Sequence, residues 1–322
     1  MLKNYKPIII VAGEPFSIFS EILFKSLKQN SFRKPIILIM SKDLLVRQMK
    51  SLNYKFKINL INLKKFSLIN NKKVINVIDV NFTFKKTFDK ISNKSNSYIL
   101  KSFEVALKLI KDKSCSGLIN GPISKKNFLN KKYLGITEFL AEKNNKKNKV
   151  AMIIYNKELS VSPITTHLPL KEVHRNISKN KIINHIKLIK DFYKKTLKKN
   201  PKIAVTGLNP HCESNYKSSE EDRIIKPAIK SLLKKRYNIS GPYSADTIFL
   251  EENLNKYDVI VGMYHDQVLA PVKTLFGFNA INITAGLPFI RISPDHGPNT
   301  KMLGKNLSNP TSLIQAIKFL DK

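Results

Sequence analysis

The sequence predicts an α/β protein with mostly parallel sheets, and two observations carry that prediction. Short apolar runs of strand length recur along the 322 residues, with stretches of helical period between them. Several of those runs end in clusters of polar and turn-forming residues, the arrangement in which α/β enzymes place reactive side chains at strand ends. No internal repeat and no long low-complexity linker interrupts the alternation.

The elements follow in order. Ile8 to Val11 is an all-apolar strand, and Ser17 to Lys28 is helical, with Phe19, Ile22 and Leu23 recurring at helical spacing. Pro35 to Met40 is the next strand. Lys55 to Lys90 is irregular and more β-like, with alternation around Val74 to Phe84. Tyr98 to Lys111 reads as a helix through Ile99, Phe103, Ala106 and Ile110, and Gly117 to Ile119 as the strand after it. Val150 to Tyr155 and Lys202 to Val205 are strands on either side of a helix over Asn180 to Lys198. A helix over Asp222 to Lys235 precedes strands at Val259 to Val261 and Ala280 to Ile283. Thr311 to Leu320 is a short amphipathic helix able to pack back on the first half. Two α/β lobes with a cleft are expected, the chain crossing between them twice: residues 1–125 with 305–322, and residues 126–304 carrying most candidate site residues. Glu142 to Lys149, rich in lysine and asparagine, is expected to be an exposed connector.

The length allows one large domain or two ordinary ones, and 42% hydrophobic residues suits a soluble globular protein. No apolar run reaches the length of a membrane span. The run Ile8 to Val11 is too short, and too soon followed by Gly13-Glu14-Pro15, for a signal peptide. Cys115 and Cys212 form no disulfide framework, so a cytoplasmic location is expected. The formal charge of +34 comes mainly from lysines spread along the chain among asparagine and isoleucine, residues that A/T-rich codons encode. No groove-reading motif or aromatic-interleaved basic stretch accompanies them, so no specific nucleic-acid partner is expected. The charge instead favours anionic small molecules by long-range steering.

Three histidine motifs stand at strand-like exits: Thr165-Thr166-His167, Leu208-Asn209-Pro210-His211 and Tyr264-His265-Asp266-Gln267. Three imidazoles brought together would hold a divalent cation with a position open for a substrate oxygen; each alone would serve as a structural hydrogen-bonding group. Asn120-Gly121-Pro122-Ile123-Ser124-Lys125 is a turn whose amides and lysines suit a phosphate or carboxylate, or a plain strand-to-helix turn. Thr137 is placed to cap a helix or touch a ligand, and Asp246 adds a carboxylate in a turn-rich stretch. Asn282 and Arg291 flank a glycine turn, and Arg291 is a natural bidentate clamp for phosphate or carboxylate.

Together with Gly13-Glu14-Pro15, Thr137-Glu138-Phe139-Leu140-Ala141, Ala245-Asp246-Thr247, Gly286-Leu287-Pro288 and Asp295-His296-Gly297, these motifs occur in one order along nearly the whole chain. In that order they resemble the 4-hydroxythreonine-4-phosphate dehydrogenase family of vitamin B6 biosynthesis. The resemblance implies two α/β/α lobes around a cleft, of the isocitrate-dehydrogenase type. It implies a divalent cation (zinc, magnesium or cobalt) on His167, His211 and His265, with ligands shared across a homodimer interface. It further implies contacts from Thr137, Lys273, Asn282 and Arg291 to the phosphorylated substrate, and NAD or NADP as oxidant. No dinucleotide fingerprint of the usual glycine spacing is needed in that fold, and none is present.

Four departures from the family pattern stand out. Phe16-Ser17-Ile18-Phe19 replaces a glycine-rich continuation, Ile136 replaces a histidine, Cys212 contracts a small Ala-Gly pair before Glu213, and Pro298-Asn299-Thr300-Lys301 replaces smaller residues and an aspartate. The implied reaction oxidises a secondary alcohol to a β-keto acid, which then decarboxylates. Asp246, Asp266 and Lys273 are the candidates for moving its protons. The Ile136 change keeps open a sister dehydrogenase of another four-carbon phosphorylated hydroxy acid, a threonate or erythronate phosphate. A zinc hydrolase and a non-enzymatic basic binding protein are further readings, separated by their lack of nicotinamide dependence and of metal dependence respectively.

Overall fold

The computed structural model describes residues 5–62, 74–112, 114–128, 133, 135–212 and 218–322. The chain forms two compact units, residues 1–139 with 288–322 and residues 140–287. The sequence reading puts these divisions at 125/126 and 304/305. Residues 126–139 and 288–304 belong to the first unit because a strand and a helix in them pack there.

In the first unit the strands are β1 (Ile8–Val11), β2 (Ile36–Met40), β3 (Lys57–Leu60), β4 (Val74–Asp79), β5 (Gly117–Asn120) and, from the C-terminal segment, β12 (Arg291–Ser293). They lie in the order β3-β4-β2-β1-β5-β12, every pair parallel. β1 is buried throughout, as a central strand covered on both faces must be, whereas β3 at the edge is largely exposed and begins with a lysine. The helices are α1 (Phe19–Gln29), α2 (Lys42–Ser51), α3 (Asn96–Lys111), α4 (Lys125–Phe128), α5 (Ile136–Lys143, running into the second unit) and α10 (Thr311–Leu320). Ser41 caps α2 by accepting a hydrogen bond from Leu44 N. As the amphipathic pattern predicts, α10 packs on the first unit. The approach to it is tied to α1, where Lys25 Nζ donates to Asn306 O (2.9 Å) and Ser308 O (2.8 Å) and Glu21 accepts from Ser308 N.

The second unit contains β6 (Ala151–Tyr155), β7 (Ser160–Pro163), β8 (Ile203–Thr206), β9 (Ile239–Tyr243), β10 (Val259–Gly262) and β11 (Ile281–Ala285) in the order β11-β6-β7-β10-β8-β9. β11-β6-β7 are antiparallel neighbours; β7-β10-β8-β9 are parallel. Its helices are α6 (Lys179–Phe192), α7 (Lys226–Leu233), α8 (Glu251–Leu254) and α9 (His265–Phe276). Ile154, Val161, Ala204, Ile260 and Val268 centre one face of its core. Buried in this unit, His185 on α6 bonds Ser162 Oγ at 2.7 Å, and burial pushes its imidazole down to about 4.

The predicted strands and helices named above are found with ends shifted by a few residues. The helix expected over Asn180 to Lys198 closes in a π-type turn over Tyr193–Leu197, and that over Asp222 to Lys235 opens in another over Glu221–Ile225. Residues 63–73 of the irregular β-like region lie outside the described residues. Residues 142–149 are mostly exposed, as expected of a connector, and begin on the last turn of α5. Among the described residues, no helix is long and apolar enough to cross a membrane.

Candidate active site

Parallel pairing places two of the imidazoles. β7 and β10 run in register to Pro163↔Gly262, and the ladder continues past both strands as Ile164 N and Thr165 N donate to Gly262 O and Met263 O. Thr165 Oγ1 also donates to Met263 O at 2.7 Å. Two residues beyond this double tie, His167 and His265 have ring centroids 6.1 Å apart. His265 begins α9, and its Nδ1 lies 2.6 Å from Asp266 Oδ1. A carboxylate there holds the proton on Nδ1 and turns Nε2 outward as the lone-pair donor.

The third imidazole leaves β8. Gln267 bonds this exit to that of β10: its Oε1 accepts from Met263 N (2.7 Å) and Thr206 Oγ1 (2.9 Å), and its Nε2 donates to Gly207 O (2.8 Å). His211 follows in a tight turn with φ of 56°, and Cys212 after it has φ of 57°, both left-handed without being glycine. Asp246 Oδ2 stands 3.9 Å from His211 Nδ1. The Ser244 hydroxyl, donating to Asp246 Oδ1 at 2.6 Å, holds that carboxyl below the usual range.

In the first unit the guanidinium is set at a strand start. Arg291 opens β12, opposite Leu118 of β5, and is fully buried. Its Nε donates to Asn120 Oδ1 at 2.7 Å and its Nη1 to Thr137 Oγ1 at 3.2 Å. Burial pushes its pKa down to about 10, opposed by the charge of Glu138, so it remains cationic at neutral pH. The sequence reading places Asn120 in a candidate anion-binding turn and Glu138 in the Thr137 motif, but gives neither residue a role of its own. An asparagine ending an all-apolar strand was the available signal for Asn120, because a buried amide must be bonded.

Next to this cluster, the β1 exit presses on the β5 exit. Gly13 has φ of 81°, and a Cβ there would fall 2.4 Å from Pro122 O, so only glycine makes the turn. Glu14 N donates to Pro122 O at 2.8 Å, and the Glu14 side chain is buried. Burial pushes its carboxyl up to about 7, only partly opposed by the nearby Ser95 hydroxyl and Phe16 amide.

Of the remaining predicted residues, Lys273 is half-buried on α9, and burial lowers its pKa. Asn282 lies on β11, with its Oδ1 buried and no hydrogen-bond partner among the described residues. The side chain of Lys125 and the whole of Glu213 lie outside the described residues. Lys126 is exposed.

The structure therefore brings His167 to His265, His265 to Asp266, His211 to Asp246, and Arg291 to Thr137. Among the described residues of one chain, no three His, Cys, Asp or Glu side chains are grouped to hold a metal ion. The donor chemistry nonetheless fits a cation. Imidazoles at strand exits with carboxylates on their Nδ1 sides suit zinc or cobalt, and suit magnesium, which prefers oxygen ligands, less well.

Parallel-rich α/β units with histidines at strand exits and a buried guanidinium define an α/β enzyme for an anionic small molecule. The sequence matches the family described as pyridoxal phosphate biosynthetic protein PdxA over residues 31–320, and the chain belongs to that family. The 4-hydroxythreonine-4-phosphate dehydrogenase of Sulfurihydrogenibium sp. (strain YO3AOP1) is 38% identical over 319 residues, covering 96% of both chains. That of Wigglesworthia glossinidia brevipalpis is 33% identical over 316 residues, covering 97% of this chain and 95% of its own. The crystal structure of 4-hydroxythreonine-4-phosphate dehydrogenase from Klebsiella pneumoniae superposes with a TM-score of 0.86 at 28% identity, covering 98% of each chain.

Proposed function

We propose that this chain oxidises 4-phosphohydroxy-L-threonine with NAD or NADP to a β-keto acid that decarboxylates to 3-amino-2-oxopropyl phosphate, in pyridoxal 5'-phosphate biosynthesis. The observation that carries this reading is the nearly full-length match, at 38% identity, to a relative named for that activity. His167, His211 and His265 would hold the divalent cation, with ligands contributed by two subunits of a cytoplasmic homodimer. When bound, the cation supplies positive charge against developing oxyanions and the nicotinamide accepts the hydride.

The chain's own residues supply the rest. Asp266 fixes the tautomer and direction of the His265 imidazole, and Asp246 sets a negative charge 3.9 Å from His211 Nδ1. Arg291, buried and charged, binds the substrate phosphate, with Thr137 and Asn120 fixing the plane of its fork. Asn282 offers a buried acceptor to a substrate N–H or O–H. Asp246, Asp266 and Lys273 are the candidates for moving the proton, and half-burial lowers the Lys273 pKa in the direction a general base requires.

The test is nicotinamide reduction by purified, metal-loaded protein given 4-phosphohydroxy-L-threonine, with and without chelator. Chelator-sensitive reduction is the expected result, and reduction untouched by chelator would remove the cation from the reading. Ile136 favours one second reading, a dehydrogenase of threonate or erythronate phosphate, because an apolar side chain stands where the family offers a polar one. Higher kcat/KM on those substrates would decide for it.

A further inference from the structure

We propose that Glu221 is a positioning residue for His211, clamping residues 207–212 in the backbone shape that presents the imidazole at the exit of β8. The inference rests on the metal-ligand reading of His211 given above.

Glu221 is fully buried, at the start of the π-type turn that leads into α7. Its Oε1 accepts from two successive backbone amides, Leu208 N at 2.7 Å and Asn209 N at 2.9 Å. Its Oε2 accepts from Asn209 Nδ2 at 2.9 Å, and Glu220 Oε2 accepts from the same amide group at 2.9 Å. One carboxylate thereby fixes two consecutive peptide planes and the Asn209 side chain that follows them, immediately before Pro210-His211.

His211 needs that help. Its side chain is 74% exposed, so little packing restrains the ring and its position is inherited from the backbone. That backbone is unfavourable: His211 and Cys212 are consecutive non-glycine residues in the left-handed region, a conformation that persists only where surrounding bonds enforce it. Closure is tight enough that a Cβ on Gly207 would fall 3.0 Å from Glu221 Oε1 and 2.6 Å from Cys212 Sγ. The clamp also requires a carboxylate. Three N–H groups converge on it, and a glutamine of the same shape would turn an NH₂ toward one of them. Burial alone would raise the Glu221 pKa, but the Asn209 and Leu208 hydrogen bonds outweigh it and keep the group ionised.

The experiment titrates full-length wild type, Glu221→Gln and His211→Ala with Co²⁺, by calorimetry and by visible absorption, and measures thermal unfolding on the same samples. Both variants are expected to weaken Co²⁺ binding, Glu221→Gln by about 10- to 100-fold as for other groups that orient a metal ligand, with altered visible bands. Wild-type affinity and spectrum in Glu221→Gln, beside a weakened His211→Ala, would overturn the positioning role while leaving the metal reading intact, even if the melting temperature fell. Wild-type affinity in His211→Ala would overturn both. Should Glu221→Gln fail to fold, Asn209→Ala removes only the side-chain part of the clamp. It is expected to weaken Co²⁺ binding by a smaller factor, and unchanged affinity there would equally overturn the proposal.

Discussion

Replacing Glu14 with glutamine should change the pH dependence of stability in a direction opposite to ordinary carboxylates. Glu14 is buried at the β1 exit, and burial raises its pKa from 4.5 to about 7. Below pH 4.5 the carboxyl is protonated in both the folded and unfolded chain, and its titration contributes nothing. Between 4.5 and about 7 the folded chain keeps the proton that the unfolded chain has released, so stability falls as pH rises. Above 7 the full cost of a buried charge is present. At about 1.4 kcal/mol per pKa unit, the shift corresponds to about 3 kcal/mol. Glutamine keeps the shape and never ionises. Relative to wild type, Glu14→Gln should therefore gain about 3 kcal/mol between pH 4.5 and pH 8. Urea unfolding of both proteins across that range measures the difference, and subtraction cancels every other titrating group. A wild-type-minus-variant difference that stays flat across the range would refute the argument that the buried carboxyl retains its proton.

Three further outcomes are expected. Arg291→Lys keeps the charge but loses the planar fork bonded by Asn120 and Thr137, and should raise KM for the phosphorylated substrate by roughly 10- to 100-fold in steady-state kinetics; an unchanged KM would take the phosphate away from this residue. Ile136→His restores the polar side chain of the family pattern at the start of α5 and should raise kcat/KM on 4-phosphohydroxy-L-threonine relative to the sister phosphates, measured by competition between substrates. His185 is held neutral, with its pKa lowered from 6.5 to about 4, so its contribution is present above 6.5 and is lost as pH falls toward 4. The stability deficit of His185→Asn should accordingly shrink over that interval in the same unfolding assay, and a constant deficit would contradict a neutral buried imidazole.

Much of this was legible in the sequence because it lay in continuous apolar patterns. β1, β2 and β5 read as strands since central parallel strands are buried on both faces and are dominated by apolar residues. α10 read correctly through its apolar stripe. What was missed is short or locally contradictory. β7 is Ser-Val-Ser-Pro and β12 is Arg-Ile-Ser, strands specified by their neighbours rather than by their own composition. α9 begins with His265-Asp266-Gln267 and contains Pro271, so its first turn resembles a loop and its middle a break. The same limit applies to the site. Histidines and Arg291 declare themselves by type, but Asn120 and Glu221 matter through partners 171 and 12 to 13 residues away in sequence, a relation that no local pattern encodes.

The discontinuity of the first unit has a consequence for synthesis. Residues 140–287 form one unbroken stretch, so the second unit has all of its own chain as soon as Leu287 has left the ribosome. The first unit, although begun earlier, then still lacks β12 and α10, its last strand and a covering helix. Its sheet must wait with β5 unpaired on one side and with Asn120 and Thr137 lacking the guanidinium they hold. Of the two units, the one begun first is therefore the last to be completed, and the residue proposed to grip phosphate arrives with the strand that completes it.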